Sequence, residues 1–330
     1  TLCLLALLNR GDEILVPDPC FANYYGQAMI AGAKAVPVPA HEENGFNMTA
    51  ADVEKCITPK TKAVFTELIG NPKLDVVDLK KVSALVHAHN IPLILDSTTA
   101  TPYLIQPFAY GADIVVHSSS KYINGSGSAI SGVIVDCGSF HWDPKRYRGF
   151  DAYEKYGKFA YLAKLRGGIW RNVGGCMAPV HAFLGCVGLE TLGLRMERLC
   201  ENAKALAEAM EQVEGISVNY PGLPSSPYYD LVQEQFGGKG GAILTLRAGS
   251  KENAFTLINH LKYAVNATNI GDLRTLVIHP ASTIYIHNTP KQMENAGVFE
   301  DTIRVSVGIE DIADLIEDFT QAAACIQKHD

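Results

Sequence analysis

The sequence lacks several features that mark specialised classes of protein. It contains no CxxC pair, no cysteine spacing typical of a metal site, no internal repeat and no low-complexity tract. No apolar run is long enough to cross a membrane, and basic residues are not in excess, because the formal net charge is −7. These absences argue against a metal-binding module or a membrane span, and against nucleic acid or an anionic membrane as the main partner.

The 8 cysteines are scattered along the chain rather than paired. They are Cys3, Cys20, Cys56, Cys137, Cys176, Cys186, Cys200 and Cys325. Most of them lie inside apolar segments, so we expect reduced thiols in the protein core. Reduced thiols in turn predict a cytosolic protein.

The size and composition of the chain are those of an ordinary soluble globule. With 330 residues, 47% of them hydrophobic and 19% charged, the chain can form one large α/β domain and a smaller one. The apolar segment Thr1–Leu8 lacks the basic region and the cleavage site of a signal peptide, so it predicts a buried helix. The chain begins inside this helix without a methionine or a capping residue, which predicts that a segment upstream is missing.

Short apolar strands alternate with helical patterns from the start of the chain to about residue 136. The predicted strands are Glu13–Val16, Ala35–Pro39, Ala63–Leu68, Pro92–Leu95, Ile114–His117 and Ala129–Val135. Between them, Asp75–His89 has apolar residues at helical spacing. This alternation predicts βαβ units and a mostly parallel sheet that is covered on both faces.

A long helical stretch and a turn-rich joint separate this region from the rest of the chain. The predicted helices are Tyr153–Arg166, Pro179–Leu192 and Met196–Val213. The joint is Tyr220–Pro227, and beyond it strand, helix, loop, strand and helix follow at Ala242–Leu246, Glu252–Leu261, Thr302–Val307 and Ile312–Ile326. We therefore expect a large domain over residues 1–213 and a smaller α+β domain over residues 214–330.

The segment around Lys121 carries the strongest chemical signal. The apolar run Ala112–Val116 leads into three hydroxyls, Ser118, Ser119 and Ser120, then a lone lysine and the glycines of Gly125-Ser126-Gly127. Hydroxyls and glycines suit a phosphate, and a lysine at an apolar wall can lose its proton and act as a nucleophile. Together they indicate a pyridoxal phosphate (PLP) site with Lys121 as the Schiff-base residue. The alternative is a solvated lysine after an edge strand.

Two more predicted strands end in polar residues that fit the same site. Asp96 follows the apolar run Ile91–Leu95, and a carboxylate there should meet a cation such as a protonated pyridine nitrogen. Its alternative role is an N-cap of the next turn. Asn71-Pro72 follows Val64–Leu68 and by itself is usually a turn. In open parallel sheets, ligands gather at the carboxyl ends of strands, which favours one shared site.

The motifs resemble those of the Cys/Met-metabolism family of PLP-dependent enzymes, which has the aspartate-aminotransferase fold (fold type I). The resemblance covers essentially the whole chain. The motifs that carry it are Asn71-Pro72, Leu95–Thr98, Gly111–Tyr122, Gly188–Leu192 and Arg304–Asp311. The resemblance therefore implies an α/β PLP-dependent transferase fold with a large parallel-sheet domain and a smaller α+β domain.

The resemblance also implies roles for individual residues. Lys121 falls at the Schiff-base lysine, and Asp96 at the partner of the pyridine nitrogen. Ser118 and Ser120 match the phosphate-binding hydroxyls. Asn71 matches the asparagine near the cofactor's phenolic oxygen and the substrate carboxylate, and Arg304 matches the arginine that holds the substrate α-carboxylate, a task that suits its bidentate fork. Without the resemblance, Arg304 would be interpreted as an ordinary strand or surface arginine.

Two positions depart from the family's pattern. The tyrosine that stacks on the cofactor ring is Phe21 here, which can stack but has no hydroxyl, so Tyr24 or Tyr25 would have to supply one. A family serine near the lysine and the substrate corresponds to Thr275. The family's glycine-containing phosphate loop, and a Tyr and an Arg that reach a neighbouring subunit, would all precede the first residue of this sequence.

Among members of the family, Tyr220–Tyr228 and Leu276–Thr283 look most like O-acetylhomoserine sulfhydrylases. This likeness implies sulfide addition to O-acetyl-L-homoserine, which gives homocysteine and acetate. Methionine γ-lyase or another γ-elimination or cystathionine enzyme is the main alternative, although Asn23 stands where those lyases tend to carry a cysteine. A homodimer or homotetramer is implied by the resemblance alone.

Two alternatives lie outside this group of enzymes. A truncated homologue that cannot hold PLP would be folded but inactive. A nicotinamide enzyme would need a glycine motif that opens a helix, whereas Gly125-Ser126-Gly127-Ser128 precedes a predicted strand.

Overall fold

A computed structural model of the chain describes residues 1–18, 20–21, 23–40 and 48–326. Its larger sheet has six strands: β1 (Glu13–Asp18), β2 (Lys34–Pro39), β3 (Thr61–Glu67), β4 (Leu93–Asp96), β5 (Ile114–His117) and β6 (Val133–Asp136). Their order is β2-β1-β3-β4-β5-β6, and every neighbouring pair is parallel except the antiparallel pair of β5 and β6. The predicted mostly parallel sheet is therefore confirmed.

Helices cover both faces of this sheet. They are α1 (Leu2–Leu7), α2 (Asn23–Ile30), α3 (Ala50–Cys56), α4 (Leu79–Ala88) and α5 (Thr101–Leu104). Successive strand residues point to opposite faces, so Ile94 packs in the core that contains α1 and α2, while Leu93 and Leu95 pack in the core that contains α3 and α4. The predicted buried helix at the N-terminus is α1, whose Cys3, Leu4, Ala6 and Leu7 are buried.

The register of β4 and β5 brings the polar strand ends to one edge of the sheet. Asp96 is the partner of Val116 on β5 and of Glu67 on β3. The residues that follow these three strands therefore lie side by side. Because the carboxyl ends of parallel strands meet at the same edge, the sheet alone places the Asn71, Asp96 and Lys121 segments together.

The strand before the helical stretch is shorter than predicted. The segment Ala129–Val135 is expected to form a strand, but β6 begins at Val133. Backbone and hydroxyl groups of Ser131 instead bond the residues before Lys121: Ser120 N donates to Ser131 O, and Ser119 and Ser131 share a hydrogen bond between their hydroxyls. Residues before β6 thus support the lysine segment rather than pairing with β5.

The predicted helical stretch contains several kinds of helix. A 3₁₀ segment (Asp151–Phe159) leads into α6 (Ala160–Ala163), a π-helix (Lys164–Trp170) and α7 (Arg171–Val173). The long helices α8 (Pro179–Glu190) and α9 (Leu192–Met210) follow. Met196 and Leu199 of α9 pack with the larger sheet, and Leu206 and Met210 pack with the second sheet, so α9 joins the two cores.

The second sheet has five strands: β7 (Ser217–Asn219), β8 (Ile243–Arg247), β9 (Val265–Asn266), β10 (Leu276–Ile278) and β11 (Thr302–Ser306). Their order is β7-β8-β11-β10-β9. The helices of this part of the chain are α10 (Tyr229–Phe236), α11 (Lys251–His260), α12 (Pro290–Asn295) and α13 (Ile312–Ala323). Val232 and Phe236 of α10 pack in the core of the larger sheet. Two predicted strands correspond to β8 and β11, whereas β7, β9 and β10 were not predicted because they are only two or three residues long.

The cysteines occupy varied environments. All eight are free, but only Cys3 and Cys200 are buried, and Cys176, Cys186 and Cys325 are exposed. The expectation of mostly core thiols is therefore wrong. Within the described ranges, every helix is too short or too polar to span a lipid bilayer.

Candidate active site

Lys121 lies in a tight turn immediately after β5. Lys121 N donates to Ser118 O (3.1 Å), and Gly125 N donates to Lys121 O (2.8 Å). The Ser120 hydroxyl donates to Ser131 O (3.0 Å), while Ser118 N donates to the Thr98 hydroxyl (2.8 Å) in the turn after β4. The backbone of this turn is therefore tied to both neighbouring segments, and the lysine side chain is held at the sheet edge.

A buried arginine on α9 fixes the far side of the turn. Arg195 donates from Nη1 to Tyr122 O (2.6 Å) and from Nη2 to Ile123 O (3.1 Å) and Gly188 O (2.6 Å). Three backbone carbonyls thus accept hydrogen bonds from one guanidinium. Arg195 is only 8% exposed. Its sequence context predicts only an amphipathic helix, so this contact was missed in the sequence.

The amine of Lys121 faces the second sheet. Lys121 Nζ donates to Asn269 Oδ1, on the loop between β9 and β10. Burial, and then the nearby Arg304 charge, lower the pKa of Lys121 below its ordinary value. Both effects favour the neutral amine, which is the nucleophilic and basic form. Asn269 was also missed in the sequence, because it lies 148 positions from Lys121 in a loop without a recognisable pattern.

Asp96 accepts hydrogen bonds at both carboxylate oxygens. Thr98 N donates to Oδ1 (2.9 Å), and the Tyr24 hydroxyl lies 3.1 Å from Oδ2. The bond from Thr98 N is the turn contact that the N-cap alternative anticipates. The contact with Tyr24 shows that the other oxygen is directed along the sheet edge. Asp96 can therefore cap this turn with one oxygen and still offer the other to a cation.

Arg304 on β11 is a buried cation without a carboxylate partner in the described part of the chain. It is 3% exposed, and its Nη2 donates to Thr268 O (2.8 Å) and Asn269 O (3.1 Å). Its Nη1 donates to Asn71 Oδ1 (3.3 Å), and its Nε is buried with no hydrogen-bond partner among the described residues. Burial lowers the pKa of Arg304 to about 10. A buried charge and an unused donor are costly unless an anion arrives.

Phe21 lies at the entrance of α2 and is half exposed. Its ring centroid is 5.6 Å from that of Tyr24 in an edge-on arrangement. The Tyr24 hydroxyl is directed to Glu67 and Asp96, whereas the Tyr25 hydroxyl is associated with Asp18, which raises the pKa of Tyr25 after the larger effect of burial. Of the two tyrosines that were expected to replace the missing hydroxyl, Tyr24 is the one that reaches Asp96.

Thr275 is not brought together with the other candidates. It is completely buried, and its hydroxyl donates to Glu310 Oε2 (2.9 Å) and accepts from Gly308 N (2.9 Å). Both hydrogen-bonding directions are thus used within the second sheet. The side chain next to Lys121 is instead Asn269, six residues earlier.

Comparison with known proteins places this geometry in a family. A model described as Cys/Met metabolism PLP-dependent enzyme matches residues 1–324. The homocysteine/cysteine synthase of Saccharomyces cerevisiae is 38% identical over 98% of this chain and 78% of its own length. The O-acetyl-L-homoserine sulfhydrylase 1 of Thermus thermophilus is 36% identical over 98% of this chain and 79% of its own length.

Solved structures show the same fold. A Campylobacter jejuni protein assigned as an O-acetylhomoserine (thiol)-lyase carries a pyridoxyl group on a lysine, and it is 30% identical with a TM-score of 0.90 over 98% of this chain and 79% of that chain. The O-acetylhomoserine sulfhydrylase of Wolinella succinogenes is 35% identical with a TM-score of 0.85, over 98% of this chain and 88% of that chain. These matches confirm the expected α/β fold class, and the chain belongs to the Cys/Met metabolism family of PLP-dependent enzymes.

Proposed function

We propose that this enzyme replaces the acetate group at Cγ of O-acetyl-L-homoserine with sulfide and so forms homocysteine. The observation that supports this best is that two groups from different sheets contact the same residue, Asn269: a lysine amine whose pKa is lowered, and a buried arginine without a carboxylate partner among the described residues. The first suits proton transfer at an amino acid's Cα, and the second suits its carboxylate. The named relatives are homocysteine synthases and O-acetylhomoserine sulfhydrylases, which supports this choice of substrates.

The residues at this edge fit pyridoxal phosphate. Lys121 would hold the cofactor covalently, and Asp96 would face its ring nitrogen. Ser118 and Ser120 would bind the phosphate, Asn71 would lie at the phenolic oxygen, and Phe21 would stack on the ring. The fit rests on the chemistry of these donors, because a neutral amine, a carboxylate and two hydroxyls match an aldehyde, a pyridinium and a phosphate.

When bound, the cofactor supplies an electron sink for the charge that develops at Cα of the amino acid. The residues of the chain perform the remaining tasks. Arg304 binds the α-carboxylate through its free donor and orients Cα toward Lys121. The Lys121 amine accepts the Cα proton, releases it again, and then, once more in its neutral form, accepts a Cβ proton. Asn269, which accepts a hydrogen bond from Lys121 Nζ, holds this amine in place.

The overall reaction is a substitution without oxidation or reduction. The bond between Cγ and the ester oxygen breaks and acetate leaves, and a bond between Cγ and the sulfur of hydrosulfide forms. Lys121 returns the protons that it removed from Cα and Cβ, so no proton is gained or lost by the protein over one turnover. Homocysteine formation would place this step in methionine biosynthesis.

Product identification tests the proposal. The purified protein, loaded with pyridoxal phosphate, is given O-acetyl-L-homoserine with sulfide in one reaction and methionine alone in another. Homocysteine and acetate in the first reaction are expected. Formation of a 2-oxo acid and ammonia from methionine, without homocysteine in the first reaction, would instead assign a γ-lyase.

Cofactor binding is tested separately by absorbance. Pyridoxal phosphate joined to a lysine generally absorbs at roughly 420 nm. We expect this band in the loaded protein. Its absence would support the alternative of a folded but inactive homologue.

The same proposal extends to assembly, domains and location. The exposed apolar surface of α8 includes Val180 (58% exposed) and Phe183 (65%), and it adjoins Ile130 (83%), whose carbonyl is bonded to His181. We propose that this surface is buried in a homodimer or homotetramer, since large exposed apolar patches commonly mark interfaces.

We also propose the domain division at residues 213–214, within the connection from α9 to β7. A cytoplasmic location is proposed as well, which the eight free thiols favour.

A further inference from the structure

A tyrosine hydroxyl lies between two carboxyl groups at the edge of the larger sheet. Tyr24 Oη is 2.9 Å from Glu67 Oε1 and 3.1 Å from Asp96 Oδ2. Glu67 and Asp96 are direct partners in the parallel register of β3 and β4, so their side chains start from adjacent backbone positions. Tyr24 is buried, and its ring packs 4.4 Å from the ring of Phe65. The three groups thus form one hydrogen-bonded row.

The row of Glu67, Tyr24 and Asp96 needs one more proton for its two hydrogen bonds than the Tyr24 hydroxyl supplies. A phenolic hydroxyl has a single hydrogen to donate, but it can accept from another donor. If both carboxyls were ionised, Tyr24 could donate to only one of them, and two like charges would face each other on adjacent strands. One protonated carboxyl removes both problems, because it donates to Tyr24 while Tyr24 donates to the other carboxylate.

The surroundings assign the extra proton to Glu67. Asp96 accepts a 2.9 Å hydrogen bond from Thr98 N, which favours its ionised form, whereas the backbone bond of Glu67 from Asn71 N is longer, at 3.3 Å. Burial, followed by the charge of Asp96, raises the pKa of Glu67 to about 8. The neutral carboxyl therefore lies on β3 and the anion on β4.

We propose that Glu67 is a protonated positioning residue, which donates to Tyr24 so that Tyr24 in turn donates to Asp96 and holds that carboxylate ionised and oriented for the cofactor's ring nitrogen. This inference rests on the role proposed for Asp96 above. It gives Tyr24 a purpose other than replacing the hydroxyl that Phe21 lacks. It also explains why a glutamate is tolerated beside Asp96.

The groups around this row bear on its pH dependence. Among the described residues, the titratable side chains that surround Glu67 or its two partners are Cys20, Lys73, Asp75, His117 and Tyr285. Arg304 lies one residue further away, bonded to Asn71. The neighbouring acid Asp75 acts in the same direction as Asp96 and raises the pKa of Glu67. Burial raises the pKa of Asp75 as well, and lowers the pKa of Lys73 to about 8.

The sign of the stability effect follows from the raised pKa. Glu67 ionises near pH 4.5 in the unfolded chain and near pH 8 in the folded one. The stability contributed by its bound proton is therefore complete below about pH 4.5 and is lost as the pH rises to about 8. Glu67→Gln keeps a donor but does not titrate, so the wild-type protein should lose stability relative to this variant across that range.

The first experiment uses the protein without cofactor. Urea unfolding of wild-type protein and Glu67→Gln is measured at half-unit steps between pH 5 and pH 9. The expected result is a difference in midpoint that grows with pH up to about pH 8 and is then constant. A difference that does not change with pH would overturn the protonated state of Glu67, whatever the protein's activity.

The second experiment measures the equilibrium dissociation constant of pyridoxal phosphate. Tyr24→Phe keeps the ring but breaks the row, and we expect affinity to fall about 10-fold, the lower end for a lost hydrogen bond to a charged group. Glu67→Gln should stay within about threefold of wild type, because its amide still donates to Tyr24. Tyr25→Phe, which removes the adjacent hydroxyl that is associated with Asp18, is the matched control and should not change the affinity.

Equal affinities for Tyr24→Phe and wild type would overturn the link from Glu67 to the cofactor. If the wild-type protein bound no pyridoxal phosphate at all, both the proposed function and the proposed role of the row in cofactor binding would be refuted. The pH dependence of urea unfolding without cofactor would still show whether Glu67 is protonated.

Discussion

Two lysines in this protein show that burial alone does not make a reactive amine. Burial lowers the pKa of Lys121 and also that of Lys164, the latter to about 8. Lys164 donates to Arg148 O (3.1 Å) and lies 4.1 Å from the ring centroid of Phe150, within the helical stretch. Only Lys121 follows a strand whose neighbour ends in a carboxylate. The position at the sheet edge, rather than the shifted pKa, distinguishes the proposed catalytic lysine.

This contrast gives a direct prediction. Borohydride reduction of the cofactor-loaded protein, followed by peptide mass mapping, should place the pyridoxyl tag on Lys121 and leave Lys164 unmodified. Lys121→Ala should abolish multiple turnover and the tag together, because it removes the amine proposed to hold the cofactor and move the protons, whereas Lys164→Ala should retain both. A tag on another residue of the intact protein would refute the role of Lys121.

Arg304 allows a second test at the level of one residue. Arg304→Lys keeps a cation but removes the fork, so we expect KM for the amino-acid substrate to rise about 10- to 100-fold, as for the loss of a charged hydrogen bond. The turnover number should fall less, since the reacting groups remain. Arg247→Lys on β8 is the control, because that arginine is half exposed and pairs with Asp301. Steady-state kinetics that leave KM unchanged would argue against carboxylate binding.

At the scale of elements, the sequence predicts what local patterns encode and misses what distant segments create. The ends of strands β1 to β5 were predicted to within two residues, because each is an apolar run that ends in polar or turn residues. The π-helix at Lys164–Trp170 has no such signal, and β9 and β10 are too short to show a period. In these places, tertiary packing decides the structure.

The candidate site divides in the same way. Asn71, Asp96 and Lys121 could be predicted because each follows a strand of one parallel sheet, so topology alone brings them together. Asn269 and Arg195 could not, because they come from a loop and a helix that are distant in sequence. Asn269 reaches the Lys121 amine, and Arg195 reaches the backbone of the lysine turn, only by packing. The role of Thr275 stays a prediction: its hydroxyl donates to Glu310, and the side chain bonded to the Lys121 amine is Asn269.

The contact of α8 with the lysine turn can be tested with a pair of glycines. A Cβ on Gly188 would collide with Ile123 O and would lie 2.7 Å from Asn124 O, whereas a Cβ on Gly185 would meet no atom of this chain within 4 Å. Gly188→Ala should therefore destabilise the protein by about 1–3 kcal/mol through overpacking. Gly185→Ala should stabilise it by about 0.5–1 kcal/mol through helix propensity. Thermal unfolding of both variants measures the difference, and equal midpoints would show that the turn does not depend on close packing by α8.

At the scale of the whole molecule, the site is assembled from both sheets. Lys121 and Asp96 come from the larger sheet, whereas Arg304 and Asn269 come from the second sheet and its loops. Direct contacts join the halves: Arg304 donates to Asn71 Oδ1, and a Cβ on Gly271 would lie only 2.6 Å from Tyr122 N. Because the amine and the guanidinium belong to different sheets, their separation depends on how the sheets are held together by α9 and these contacts.

The exposed apolar surface of α8 makes assembly the last property that the structure allows us to test. Phe183 is 65% exposed on a helix of which only Gly188 is buried, so a charge there should not disturb the core of one chain but should oppose burial between chains. We expect Phe183→Glu to convert a homo-oligomer of the wild-type protein into monomers at micromolar concentration, as measured by sedimentation velocity. Tyr263→Glu, at a residue 58% exposed near the second sheet, should leave the oligomer intact. Gly188 lies on the same helix and packs on the lysine turn, so monomers should also bind pyridoxal phosphate more weakly. A wild-type protein that sediments as a monomer would contradict the proposed interface, and an oligomer that survives Phe183→Glu would place the interface elsewhere on the molecule.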